Sequence, residues 1–148
     1  MFTYELQGRG WARAEISDSH GQSAVLDPSY LTDALGDLLG AVSRLLDGAR
    51  RAECAWASEP GGLTWAFDCE ADTVHVQIIS FDDDDDSDEG GLVFETRVAL
   101  HDLARAVAAG AQDVLNRYGV QNYLTRWVEH PFPAGTLKRV QQQLARHA

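Results

Sequence analysis

Polar side chains that could transfer a proton or bind an anion recur in the central part of the chain. Under the strand register given below, one transverse row on a sheet face, the polar row, contains Glu53, Asp68, His75 and Arg97. A carboxylate beside a histidine and an arginine can serve general acid–base catalysis or hold an anion. The same row can instead be cross-strand charge pairing, worth a few tenths to about 1 kcal/mol per pair. The sequence supplies no nucleophile, glycine-rich phosphate loop or metal triad nearby, which favours the structural interpretation.

A run of acidic residues between two predicted strands is the strongest charge feature. The seven members of this acidic run are Asp82, Asp83, Asp84, Asp85, Asp86, Asp88 and Glu89. An EF-hand calcium loop needs glycine at its sixth position and glutamate at its twelfth, and no register of the run supplies both. Three interpretations remain: a weak divalent-cation site, a solvated and self-repelling hairpin tip, and a docking surface for a basic partner.

The elements that position these residues follow from the hydrophobic pattern. Alternation of apolar and polar residues predicts strands over residues 2–7, 11–17 and 23–26. Asp27 and Pro28 are typical of a helix start, and a broad apolar stripe continues that helix to about Gly48. Further helices are expected after residue 101, with Gly119 ending the first of them.

The centre of the chain is predicted to be a four-stranded antiparallel meander. Three apolar pairs are expected across neighbouring strands: Trp56–Trp65, Cys69–Val74 and Ile78–Phe94. In this register all four strands place their apolar residues on one face, and Leu92 lies there beside Phe94. The polar row then lies on the opposite face of a one-sided sheet.

Trp11 is a candidate contact residue. The alternation that buries Ala12 turns Trp11 outward, beside Arg9 and Arg13. Tryptophan and arginine are enriched in the energetic hot spots of protein interfaces. An outward tryptophan can also cover the edge of a hydrophobic core, so both interpretations stay open.

Composition limits the possible partners. The chain has 148 residues and a net charge of −11, which argues against nucleic acid or an anionic membrane surface as a partner. No apolar run approaches the roughly 18 residues that span a bilayer. The opening residues, MFTYELQGRG, lack the basic start and apolar stretch of a signal peptide, so a cytoplasmic location is expected.

The two cysteines, Cys54 and Cys69, show neither a CxxC motif nor zinc-type spacing with histidine. We interpret them as two buried thiols in a reducing compartment rather than as a disulfide. No metal and no cofactor is expected.

Three stretches carry a resemblance to uncharacterised small acidic bacterial proteins. They are FTYELQGRGWARAEIS, SYLTDALGDLLGAV and the tryptophan-containing meander before the acidic run. Such proteins resemble the immunity proteins of polymorphic toxin systems in size, charge and lack of catalytic residues. The resemblance covers about the first 100 residues, and no functional residue is carried over from it. It implies a binding role.

These observations together predict a single α+β domain over residues 1–148. Its antiparallel sheet has about seven strands, in the order β-β-β-α-β-β-β-β-α-α-α, with helices on the apolar face. The preferred function is non-catalytic binding of a basic protein, as in an immunity-type inhibitor that occludes a basic toxin domain with the acidic run and the polar sheet face. Trp11 is a further candidate contact residue. Two alternatives stay open. One is a small enzyme that uses the polar row, and the other is a structural homo-oligomer with a self-interface at Tyr123, Trp127 and Phe132.

Overall fold

The computed structural model describes residues 1–58, 61–81, 91–128 and 130–146. Within them lie seven antiparallel strands and three helices, which confirms the predicted α+β class and the order of the strands. The strands are β1 (Phe2–Gln7), β2 (Trp11–Ser17), β3 (Ser23–Leu26), β4 (Arg51–Ala57), β5 (Gly62–Glu70), β6 (Thr73–Phe81) and β7 (Gly91–Ala99). The helices are α1 (Ala34–Leu46), α2 (Leu100–Trp127) and α3 (Ala134–Arg146). The acidic run lies outside the described residues.

The strands form two sheets, where one was expected. Sheet A has the order β1-β2-β3 and sheet B the order β4-β5-β6-β7. They meet at a corner where the chain leaves β3: the Pro28 carbonyl accepts from Ala12 N at 3.0 Å, and Ser29 N donates to the Ala57 carbonyl at 2.7 Å. Residues 28 and 29 therefore bridge the two sheets.

The predicted start of the first helix at Pro28 is wrong, because these bridging hydrogen bonds compete with helix formation. Helix α1 begins six residues later, at Ala34. Asp33 is its N-cap, and the Asp33 side chain accepts from Gly36 N at 3.3 Å. The Trp56 indole donates to the Ala34 carbonyl at 2.8 Å, which fixes this helix start against β4.

The register of sheet B agrees with the prediction on two strand pairs and differs on the third. Cys69 faces Val74 and Ile78 faces Phe94, as expected. Trp56 faces Leu63 instead of Trp65, a shift of two residues. Because side chains alternate with a period of two, this shift leaves both tryptophans in the core.

A β-bulge near the start of β7 overturns the expectation for Leu92. The register shifts between Ile78 and Ile79, so that Ile78 faces Phe94 while Ile79 faces Leu92. The extra residue, Val93, turns Leu92 away from the core face, and the Leu92 side chain is 56% exposed.

One hydrophobic core contains side chains from both sheets and all three helices. Trp56 and Trp65 lie at its centre, with ring centroids 5.0 Å apart. Helix α2 runs along the outer edge of β1, where Leu6 N donates to the Tyr118 hydroxyl at 3.2 Å. As predicted, Gly119 interrupts the helix: its φ of 73° and ψ of 167° are not helical.

Both cysteines are free thiols. Cys54 is buried in the core, where desolvation raises the pKa of its thiol to about 12. Cys69 is only partly buried, so the expectation of two buried thiols holds for Cys54 alone.

Candidate functional site

The face of sheet B that points away from the core, here called the outer face, carries the predicted polar row. Strand alternation places odd-numbered residues of β4 and β6 there, together with even-numbered residues of β5. Their side chains are exposed or half-buried, whereas those on the opposite face are mostly buried. The outer face is therefore an open surface, as the one-sided pattern indicated.

The structure brings three of the four predicted row residues together. Asp68 faces His75, and His75 faces Arg97 on the next strand. Glu53 faces Ala66 instead of Asp68, so its predicted place in the row is wrong. The two-residue shift between β4 and β5 puts Arg51 there instead, and its Nε lies 2.9 Å from Asp68 Oδ1.

His75 interacts with a carboxylate that the prediction did not include in the row. Its Nε2 lies 2.7 Å from Glu95 Oε2, and Gln77 Nε2 donates to the same oxygen at 3.0 Å. The hydrogen bond with His75 lowers the pKa of Glu95, so this carboxylate is ionised at neutral pH. Glu95 is diagonal to His75 across the strands, and only the side-chain rotamers reveal that contact.

A shallow depression of about 740 Å³ surrounds the polar end of the outer face. Asp68, His75 and Arg97 contribute to its lining. Arg51, the first residue of β4, and Arg50 just before it also line the depression. Arginine side chains beside a carboxylate and a histidine can bind a small polar or anionic group. No sequence pattern pointed to Arg50 and Arg51, because the predicted register placed Glu53 beside Asp68.

The other end of the outer face is apolar. Ile79 and Leu92 face each other across β6 and β7, and Phe81 follows two residues after Ile79 on the same side. Phe81 is 41% exposed and Val93 is 40% exposed. The sequence pattern missed this surface, because it placed Leu92 in the core.

Trp11 is exposed at the start of β2, as expected, with 38% of its surface accessible. Its backbone forms an isolated antiparallel bridge with Ser29. Its side chain lies on the opposite face of β2 from that of the buried Ala12. The side chains of the predicted self-interface, in contrast, are buried. Tyr123, Trp127 and Phe132 are buried within the chain's own core, so these side chains are not on the surface.

No group of three or more His, Cys, Asp or Glu side chains in the described ranges could hold a metal ion. The helices of the described residues are also too short or too polar to cross a membrane. Comparison of the chain with protein-family models, with curated proteins and with solved structures finds no match.

Proposed function

We propose that the chain is a non-catalytic cytoplasmic binding protein that engages a basic protein partner. The observation that carries this proposal is the concentration of charge: seven of its 23 Asp and Glu residues fall within residues 82–89. Clustered charge accelerates encounter with a surface of opposite sign and discriminates against wrong partners. An immunity-type inhibitor that occludes a basic toxin domain is the most concrete form of this function.

The side-chain contacts on the outer face support a binding role. Asp68 is paired with Arg51, and His75 with Glu95, so these polar groups already have partners within the sheet. Both pairs are partly exposed, and such pairs contribute only about 0–1 kcal/mol each to stability. A partner can therefore exchange them for its own contacts at little cost, and the open face offers a broad contact area.

The experiment uses basic toxin domains encoded next to this gene, because an inhibitor and its target are expected to be neighbours. Binding is measured by calorimetry at low and at high salt, for the natural chain and for a variant with Asn or Gln at all seven acidic positions. We expect binding that weakens with salt and is lost or greatly reduced in the variant. Absence of salt-sensitive binding to every such domain would refute the proposed function.

A small enzyme is the second candidate, and one observation favours it. Catalysis at the polar row requires a concave site, and the depression of about 740 Å³ surrounds Asp68, His75 and Arg97. Under this candidate, His75→Ala abolishes turnover in a screen of hydrolytic substrates, whereas His20→Ala, in the exposed turn after β2, leaves turnover unchanged. No turnover by the natural chain would eliminate the enzyme.

A further inference from the structure

Strand β7 is a border strand of sheet B. Among the described residues its backbone pairs with β6 on one side and with no strand on the other. It contains nine residues, whereas β3, a border strand of sheet A, contains four. A long border strand presents a row of N–H and C=O groups with which another chain can pair. The side of β7 that faces away from β6, here called the free edge, is therefore a candidate interaction surface.

The hydrogen bonds to β6 determine which backbone groups point toward the free edge. Leu100 N, directly after β7, donates to the Asp72 carbonyl at 2.8 Å. Hydrogen-bonded and non-hydrogen-bonded pairs alternate along an antiparallel ladder, so the even-numbered residues from 94 to 98 bond to β6. The N–H and C=O groups of Glu95 and Arg97 therefore point toward the free edge, where no described residue forms a hydrogen bond with them.

Two features limit the length of β7 that can pair with another strand. The bulge at Val93 interrupts the regular strand on one side, and α2 begins at Leu100 on the other. Regular pairing is therefore confined to residues 94–98. A cleft of about 360 Å³ lies beside this segment, between β7, the end of β2 and the first turns of α2. The described part of the chain thus leaves space along the free edge.

The charged side chains of this segment select one register for antiparallel pairing with a second copy. Residues with outward backbone groups must face each other, so a two-fold axis within the segment can lie at Glu95, Thr96 or Arg97. An axis at Glu95 places two glutamates opposite each other, and an axis at Arg97 places two arginines opposite each other. Like charges directly opposite destabilise a strand pair. An axis at Thr96 instead places Glu95 of each copy opposite Arg97 of the other copy.

Both charged side chains are accessible for such pairs. Arg97 is exposed and forms no ion pair with another described residue. Glu95 uses its Oε2 atom for His75 and Gln77, and its side chain is 41% exposed. Its Oε1 atom can therefore accept a guanidinium from a second copy while the contacts at Oε2 remain.

We propose that two copies of this chain pair antiparallel through their free edges, with a two-fold axis at Thr96. The two copies of sheet B then form one continuous sheet, and each Glu95–Arg97 pair exchanges both of its backbone hydrogen bonds. Because both copies use the same surface, the assembly closes at two copies. This dimer does not require the basic partner proposed above.

Two charge effects oppose the association. Each copy carries a net charge of −11. Asp18 accepts from the Thr96 hydroxyl at 2.7 Å, so the axis brings the two Asp18 carboxylates near each other. Salt screens both repulsions. We therefore expect a weak dimer that forms at physiological ionic strength and high protein concentration.

Sedimentation velocity of the full chain over a range of concentrations measures the dissociation constant of the dimer. Two single variants, Arg97→Glu and Glu95→Arg, place like charges opposite each other, and the double variant with both substitutions restores opposite charges. Arg51→Glu is the matched control, because it makes the same change of charge as Arg97→Glu on the outer face, at the opposite border of sheet B.

We expect each single variant to raise the dissociation constant by roughly tenfold or more, because two cross-strand pairs change from attractive to repulsive. The double variant should recover most of the lost affinity, and Arg51→Glu should dimerise like the natural chain. Glu95→Arg separates the register from the net charge, because it makes each copy less acidic and should still weaken the dimer.

Amide hydrogen exchange of the natural chain tests the position of the contact. The amides of Glu95 and Arg97 should exchange more slowly as the concentration rises, because pairing supplies their hydrogen-bond acceptors. The Thr96 amide, which bonds to β6, should be protected at every concentration. Thermal unfolding of each variant, followed by tryptophan fluorescence, verifies that the fold is retained.

A chain that stays monomeric at about 1 mM would overturn the proposed dimer. Equal weakening by Arg97→Glu and Arg51→Glu, or a double variant that recovers no affinity, would contradict the pairing at Thr96. A dimer in which the Glu95 and Arg97 amides exchange as fast as in the monomer would place the contact elsewhere and refute the proposal.

Discussion

Replacement of Gln143 tests how strongly α3 is fixed to α1. Gln143 is the last of three consecutive glutamines and is only 5% exposed, against the core-facing side of α1. Its Oε1 accepts from the Ser43 hydroxyl at 2.9 Å. Its Nε2 donates to the Ser43 carbonyl at 3.2 Å and to Asp47 Oδ1 at 2.9 Å. One amide group therefore makes three hydrogen bonds between the two helices.

Gln143→Leu keeps a similar volume and removes all three bonds. At about 1 kcal/mol for each bond, the loss is about 3 kcal/mol, and the additional apolar burial of leucine returns about 1 kcal/mol. We expect a net loss of about 2 kcal/mol in the free energy of unfolding, which lowers the Tm by about 4–8 °C. Much of this loss comes from the buried Ser43 hydroxyl, which is left without its acceptor.

The double variant Ser43→Ala with Gln143→Leu isolates that contribution. Because it removes both partners of the buried bond, it should be about 1 kcal/mol more stable than additivity of the single variants predicts. Urea unfolding followed by tryptophan fluorescence gives these free energies, since Trp56, Trp65 and Trp127 are fully buried. Gln142→Leu is the matched control, because Gln142 is exposed in the same helix and should change stability by less than about 0.5 kcal/mol. If the control and Gln143→Leu were equally stable, or the double-variant effects were additive, the reasoning would be wrong.

Three further substitutions test other contacts. Gly110→Ala should lower the free energy of unfolding in urea by about 1–3 kcal/mol, because the new Cβ would lie 2.6 Å from Phe2 Cδ1. This clash should outweigh the higher helix propensity of alanine. A more stable variant would show that α2 can shift away from β1. Ala71→Gly should raise stability by about 0.5–1 kcal/mol, because Ala71 has a left-handed φ of 55°, and a lower Tm would contradict this. Thr96→Val removes the hydrogen bond, 2.7 Å long, that lowers the pKa of Asp18. The stabilising effect of this hydrogen bond is present above the unfolded pKa of Asp18 and is lost as the pH falls through the lower folded pKa. The stability difference between natural chain and variant should therefore shrink as the pH falls below about 4, and a difference independent of pH would exclude the linkage.

Local patterns predicted the elements of the fold because each depends on neighbours in sequence. Alternation identified β1, β2 and β3, and a glycine with positive φ ended the first half of α2 at Gly119. The predicted start of α1 was wrong because it depends on contacts between residues that are distant in sequence. Asp27 and Pro28 have the composition of a helix start, but their backbone groups lie at the junction of the two sheets, and long-range hydrogen bonds outweigh that local preference.

The candidate site was predictable only to the accuracy of the strand register. Asp68, His75 and Arg97 came together because two of the three strand pairings were correct. Glu53 was misplaced because the connection between β4 and β5 set a register two residues away from the expected one. Such a shift preserves the apolar face and so leaves no trace in the hydrophobic pattern. The bulge at Val93 was not predicted for a similar reason, because the side chains of leucine and valine are compatible with either face of a strand.

The hydrogen bond from Leu6 N to the Tyr118 hydroxyl has a consequence for assembly. The unpaired backbone groups of an outermost strand can form hydrogen bonds with a strand of another chain, and such strand addition leads to aggregation or to continuous sheets. At β1, helix α2 blocks strand addition. At β4, the Thr32 hydroxyl accepts from Ala57 N at 3.1 Å, and Arg44 donates to the Glu53 carbonyl at 3.3 Å. Strand addition at these two borders would first have to displace a side chain from the same molecule. At β1 and β4, backbone pairing between two copies of this chain is therefore opposed by contacts within each copy.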